Sequence, residues 1–238
     1  MKSQIRIKRY LKRILYRFNI HRFLPSNTLE TLSYLSKTSQ WINSNKNVPF
    51  SSYPYSGFDY NNRYELFDFV IKSENLDAEI DYLEFGVAQG SSFKWWTDKI
   101  KNKNALFYGF DTFTGLPEDW GPFKKGAMSN DNTPPEITGN RHSFYQGLFQ
   151  TTLPLFLKEY SSNRKMVIHI DADLFSSTLF VLTTLNPYLK KGDILFFDEF
   201  NVPVHEFKAF KLWVESYYIN YTVLGEVNNY YQTAIRIE

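Results

Sequence analysis

Residues 80–96 read IDYLEFGVAQGSSFKWW, and the fold turns on how they are read. The run 80–85 is short, mostly apolar and followed at once by glycine, which predicts a strand in a sheet covered on both faces. Gly86 and Gly90 allow a tight turn and a close approach to a ligand. From Ser91 the pattern becomes helical, so free N–H groups at a helix start lie beside that turn. The spacing is Glu-x-Gly-x-x-x-Gly, not the Gly-x-Gly-x-x-Gly of dinucleotide sites, which favours an amino-acid-like carboxylate over a pyrophosphate.

Working outward, short apolar runs alternate with helical patterns. Strands are predicted at 105–110, 143–148, 166–170 and 193–197, and helices at 63–72, 91–101, 174–189 and 206–218. Runs 221–224 and 230–237 close the sheet as an antiparallel pair. The fold class is therefore α/β, a doubly wound Rossmann-like arrangement with a mainly parallel sheet and helices on both faces. The Ser/Asn/Pro/Tyr-rich stretch 43–62 reads as a connection. Residues 112–141, rich in Gly, Pro, Asn and Asp, are too long for an ordinary connection and read as a functional loop.

Composition narrows the chemistry. The chain has 238 residues, 43% apolar and 18% aromatic, with 11 Gly and 10 Pro, which excludes collagen-like, coiled-coil and wholly disordered classes. Without cysteine there is no disulfide framework, thiolate zinc site or cysteine nucleophile. Of the 27 Lys/Arg, eight lie in residues 1–25, which hold no acid, so the rest of the chain carries 19 against 25 Asp/Glu. In that head Tyr10, Leu11, Ile14, Leu15 and Phe18 recur at helical spacing, giving a basic amphipathic helix. It suits peripheral contact with an anionic membrane, or packing on its own domain or on a second subunit as a homo-oligomer. An organellar transit peptide would also look like this. The expected division is a head at 1–25, a helical or loop connection at 26–62 and a catalytic domain at 63–238. The expected location is the cytoplasm, with the head at the inner face of a membrane if it binds lipid.

In an open parallel sheet, ligands collect beyond the carboxyl ends of the strands. Asp111, 25 residues after Gly86, ends the second strand, where a carboxylate can accept both hydroxyls of a ribose. Two further strands end in Asp171-Ala172-Asp173 and Asp198-Glu199. Like charges facing one crevice are costly unless a cation neutralises them or a proton is retained, and with oxygen donors alone Mg²⁺ is the first choice. The plainer reading makes these acids helix caps or partners of loop amides.

Five blocks in order carry a resemblance: Tyr82–Val87, Gly109–Pro117, Gly147–Pro154, Ile170–Thr178 and Gly192–Phe200. Together they resemble the macrocin O-methyltransferase family, S-adenosylmethionine-dependent enzymes of the doubly wound methyltransferase fold that methylate sugar hydroxyls. The resemblance covers residues 80–200. It implies that Glu84, Gly86, Gly90, Ser91 and Ser92 surround the methionine part of the cofactor, and that Asp111 takes the ribose with Thr112 and Phe113 beside it. Gly147, Leu148, Phe149 and Gln150 would lie along the adenine, by similarity also to catechol O-methyltransferase. Asp171, Asp198 and Glu199 match the metal ligands, although Glu199 stands where relatives usually carry Asp or Asn. The lysine base of the catechol enzyme has no counterpart, since Leu174 occupies its place.

The implied reaction is an in-line displacement at a sulfonium carbon, in which Mg²⁺ orients two adjacent hydroxyls of a glycan or small-molecule acceptor and a carboxylate takes the proton. Asp171 is the expected base, with His142 and His205 as alternatives. Trp120 and Phe123 in the 112–141 loop either stack on a sugar or pack the loop. A metal-independent transferase and a non-catalytic binding protein of the same fold remain alternatives. An NAD-dependent oxidoreductase is disfavoured by the glycine spacing and the strand-end acids. Nucleic acid is not an expected partner, because the body is acidic and no RNA-stacking motif is visible.

Overall fold

The computed structural model describes residues 2–238. In chain order it runs α1 (Lys2–Arg17), a 3-10 turn (Ile20–Phe23), α2 (Ser26–Ser44), β1 (Phe50–Ser51), α3 (Asn62–Ser73), β2 (Ile80–Phe85), α4 (Ser91–Lys99), β3 (Leu106–Asp111) and β4 (His142–Gln146). It continues through α5 (Phe149–Glu159), β5 (Lys165–Ile170), α6 (Phe175–Leu185), β6 (Ile194–Phe197), α7 (Glu206–Tyr217), β7 (Tyr221–Val227) and β8 (Gln232–Ile237). The strands form one sheet in the order β1-β7-β8-β6-β5-β2-β3-β4, in which only β8 runs antiparallel to its neighbours. This is the Rossmann-like methyltransferase fold, with the antiparallel pair at the carboxyl terminus as expected.

Side chains alternate across the sheet and build a core on each face. Tyr82, Phe107, Val167 and Phe196 pack with Leu66, Phe67 and Val70 of α3 and Phe93 and Trp96 of α4. Leu83, Phe85, Ile168, Ile170, Leu195 and Phe197 pack on the other face with residues of α5, α6 and α7. The unbroken apolar run of β6 is thereby explained, since both its faces are buried.

The stretch before α3 does more than connect. β1 pairs in parallel with β7 at the sheet edge. Trp41 of α2 packs against Phe200, Phe207, Phe210 and Tyr230, and its indole N–H donates to the Tyr221 hydroxyl at 2.8 Å. Helix α5 was also not anticipated, because Pro154 inside it reads as a breaker.

The chain leaves β2 toward β3 and β4 on one side and returns to its other side with β5, so the switch point lies between β2 and β5. Register fixes what meets there. Phe85 pairs with Phe110 and Ile170, and Ile170 with Phe197. The ladder then runs one residue further: Gly86 N donates to Phe110 O, Asp171 N to Phe85 O and Asp198 N to Ile170 O, at 2.9–3.0 Å. Gly86, Asp111, Asp171 and Asp198 therefore stand in one row across the top of the sheet.

Candidate active site

At the switch point Gly86 has φ +98, and a Cβ there would collide with the carbonyl of Asp171. Two constraints thus demand glycine at this turn. The turn continues through Ala88, itself left-handed, to Gly90 at the start of α4. Asp111 braces it. One Asp111 oxygen accepts from Ala88 N and the other from Phe113 N, both at 2.7 Å, so the carboxylate is held rigid with lone pairs still free.

Above this row lies a cleft of about 630 Å³, counting the space open to solvent, lined by Gly86, Ala88, Asp111, Thr112, Leu116, Met128, Leu148, Phe149, Gln150, Asp171 and Asp173 among others. It has acids on one wall and apolar side chains on the other. A second cleft, of about 650 Å³, is lined by Tyr60, Arg63, Gln89, Ser91, Ser92 and Ser129, and shares Ala88, Met128 and Asp171 with the first. The two meet at Asp171.

Several expected residues stand behind the clefts. Glu84 is fully buried. It accepts from Ser92 Oγ at 2.6 Å and from the Tyr82 hydroxyl, so it holds the start of α4 in place. Phe113 is also buried, and Gly147 serves the backbone, donating to Asp111 O at 2.8 Å. His142 is a correction. It opens β4, opposite Phe107, at the amino end of the strand, and its ring packs on Phe93 and Phe144 far from the row of acids. His205 precedes α7 edge-on to Trp120, with burial and then Lys208 lowering its pKa, and it lines neither cleft. Trp120 and Phe123 stack on each other at 5.3 Å, which accounts for them as packing of the loop.

The acids form two groups around Asp171. Asp171, Asp173 and Glu199 bring oxygens within 4.8 Å of one another, and His169, Asp171 and Asp198 form the other set. Glu199 Oε2 and Asp198 Oδ1 are buried without a hydrogen-bond partner. Such orphaned oxygens fit a hard divalent cation. Burial, reinforced by neighbouring carboxylates, pushes Asp171 and Glu199 well above the usual range and Asp173 up to about 7. Asp198 differs: burial is outweighed by His169 and Arg63, so its pKa falls.

Those partners were not anticipated. The Arg63 guanidinium, from the first turn of α3, lies 3.4 Å from Asp198 and 3.9 Å from Asp171. It is buried over the Tyr60 ring, and the Tyr60 hydroxyl donates to Asp198. His169 lies between Glu84 (3.7 Å) and Asp198 (3.8 Å), with Tyr82 3.0 Å from its Nδ1. Burial opposes its charge, yet the two carboxylates raise its pKa to about 10. Glu84 pairs with His169 across β2 and β5, so the two share a face of the sheet, a relation that neither strand's own sequence carries.

Comparison with known proteins bears on the fold. Residues 83–200 match the model of a methyltransferase domain. Among solved structures, the calicheamicin methyltransferase CalS11 is 19% identical, over 90% of this chain and 93% of that one, with a TM-score of 0.57. An apo structure of CalS11, described as a TDP-rhamnose 3'-O-methyltransferase, is 21% identical over 90% and 95% of the two chains, TM-score 0.52. The O-methyltransferase NovP is 18% identical over 74% and 78%, also at 0.52. At such identities the likeness is one of fold. No curated protein matches the sequence. Residues 83–200 thus resemble a methyltransferase domain, and the chain has the Rossmann-like methyltransferase fold.

Proposed function

We propose that the protein is an S-adenosylmethionine-dependent O-methyltransferase acting on a sugar hydroxyl of a glycan or small glycoside. The observation that carries the reading is Asp111, a rigid carboxylate at a strand end, in the same cleft as the Gly86 turn and as Asp171, which stands two strands away across β2. A ribose would sit on Asp111, an adenine against Leu148, Phe149 and Gln150, and the methionine part along Ala88 and Ser91. The sugar acceptor is favoured by the carboxylate-rich end of the cleft and by the likeness of fold to CalS11, a TDP-rhamnose 3'-O-methyltransferase.

Asp171 lies where the two clefts join, so it is placed to take the proton of the attacking hydroxyl once a bound cation, with Arg63 beside it, keeps it ionised. Arg63 and His169 fix Asp198 and hold that side of the pocket rigid. The loop at 112–141 lines the cleft through Leu116, Pro117 and Met128. Asp171, Asp198 and Glu199, with Asp173 beside them, would hold Mg²⁺. When bound, the ion supplies orientation of adjacent hydroxyls and a lower proton affinity of the attacking one.

Calorimetric titration with S-adenosylmethionine tests the cofactor, and transfer of a labelled methyl group to a panel of nucleotide sugars tests the acceptor. Wild type should bind, and Asp111→Ala should bind at least about tenfold more weakly, consistent with loss of a charge-assisted hydrogen-bond pair. Equal affinity in both would remove the assignment.

A further inference from the structure

Helix α1 lies outside the machinery described above, and its two sides differ. Ile7, Tyr10, Leu11, Ile14, Leu15 and Phe18 follow one another at alternating steps of three and one along one arc, whereas Arg6, Lys8, Arg9, Lys12, Arg13 and Arg17 occupy the rest together with Ile5 and Tyr16. Only Ile14 and Leu15 of the apolar arc are half-buried, and its other residues are exposed. Ile7 is 59% exposed, Tyr10 65%, Leu11 53% and Phe18 64%, and Phe23 in the following turn is 83% exposed. All six cations are exposed as well. No carboxylate precedes Glu30, which is itself paired with Lys208 at 2.8 Å.

An apolar arc flanked by uncompensated cations asks for hydrocarbon directly beneath a layer of anions. A second copy of α1 would cover the arc but bring two sets of cations together with no acid between them. An anionic bilayer supplies both partners at the depth an in-plane helix reaches, roughly 5–10 Å. No helix among the described residues is long and apolar enough to cross a membrane, so the contact would be peripheral. We infer that α1 docks in the plane of an anionic lipid surface, with Ile7, Tyr10, Leu11 and Phe18 in the acyl boundary and its Lys/Arg on headgroup phosphates.

Co-sedimentation of the full-length protein with vesicles tests this. Wild type should pellet with phosphatidylcholine vesicles containing phosphatidylglycerol, far less with phosphatidylcholine alone, and less as salt rises. Ile7→Glu with Leu11→Glu should abolish pelleting, and Lys12→Gln with Arg13→Gln should weaken it roughly fivefold per charge. Both double variants alter exposed positions, so their thermal unfolding should match wild type. Failure of wild type to bind the anionic vesicles would overturn the inference, as would equal binding by the Ile7/Leu11 variant. A vesicle-free dimer that this variant converts to monomer would also overturn it, by assigning the face to a second copy.

Discussion

A single carbonyl decides the chemistry of residue 86. Because Asp171 O occupies the space a side chain would need, and because φ is +98, Gly86→Ala must either move the β5 end or unwind the turn. The strained backbone alone costs about 1–3 kcal/mol, and the collision adds to it. Urea unfolding should therefore show Gly86→Ala destabilised by at least about 2 kcal/mol, with cofactor affinity falling in the same variant. Arg63 is a different case. Its guanidinium is buried beside Asp198 and Asp171, so Arg63→Met leaves two carboxylates facing each other without their cation. Removing one partner of a buried pair typically costs about 3–5 kcal/mol. Thermal unfolding in chelator should show that loss, and added Mg²⁺ should recover more stability in Arg63→Met than in wild type.

At the scale of elements, the strands were legible because their signal is local. An unbroken apolar run such as Ile194–Phe197 needs only its own residues to declare a strand buried on both faces, and glycine after Phe85 marks where it ends. The acids were legible for the same reason, each being the first polar residue after such a run. What stayed hidden were contacts that span the chain. Nothing near Arg63 or Tyr60 says that α3 folds over Asp198, more than 130 residues later, and His169 looked like one polar residue inside a strand. Helix α2 was obscure because its outward face carries Leu29, Leu32 and Leu35, so its apolar pattern does not single out the buried side. Trp41 is the residue that ties it down. Truncating a large packed aromatic costs about 3–5 kcal/mol, somewhat less where it is half-buried. Trp41→Ala should thus lower stability by about 3 kcal/mol in chemical denaturation, whereas removal of residues 2–17 should leave the midpoint nearly unchanged.

Over the whole molecule, the switch point gathers acids that the fold itself does not need. A carboxyl whose pKa is raised on folding keeps a proton that the unfolded chain has lost, so between the two pKa values stability falls as pH rises, by about 1.4 kcal/mol per unit for each such group. Asp173, pushed up to about 7, exerts this from about pH 4 to pH 7, and Glu199 begins near pH 4.5 and continues beyond. Without a cation the wild-type protein should therefore lose stability between pH 5.5 and pH 7.5. Glu199→Gln keeps the shape and removes one of the groups responsible. Urea unfolding in chelator should find the variant more stable than wild type at pH 7.5, with the gap narrowing at pH 5.5, nearer the ordinary carboxylate range, where the unfolded chain gains less by ionising. Mg²⁺ should raise the wild-type midpoint at pH 7.5 and leave the variant almost unmoved, because the cation's gain comes from satisfying the same oxygen. A variant less stable than wild type at both pH values would mean that Glu199 is held by partners within the fold and is not kept for a ligand.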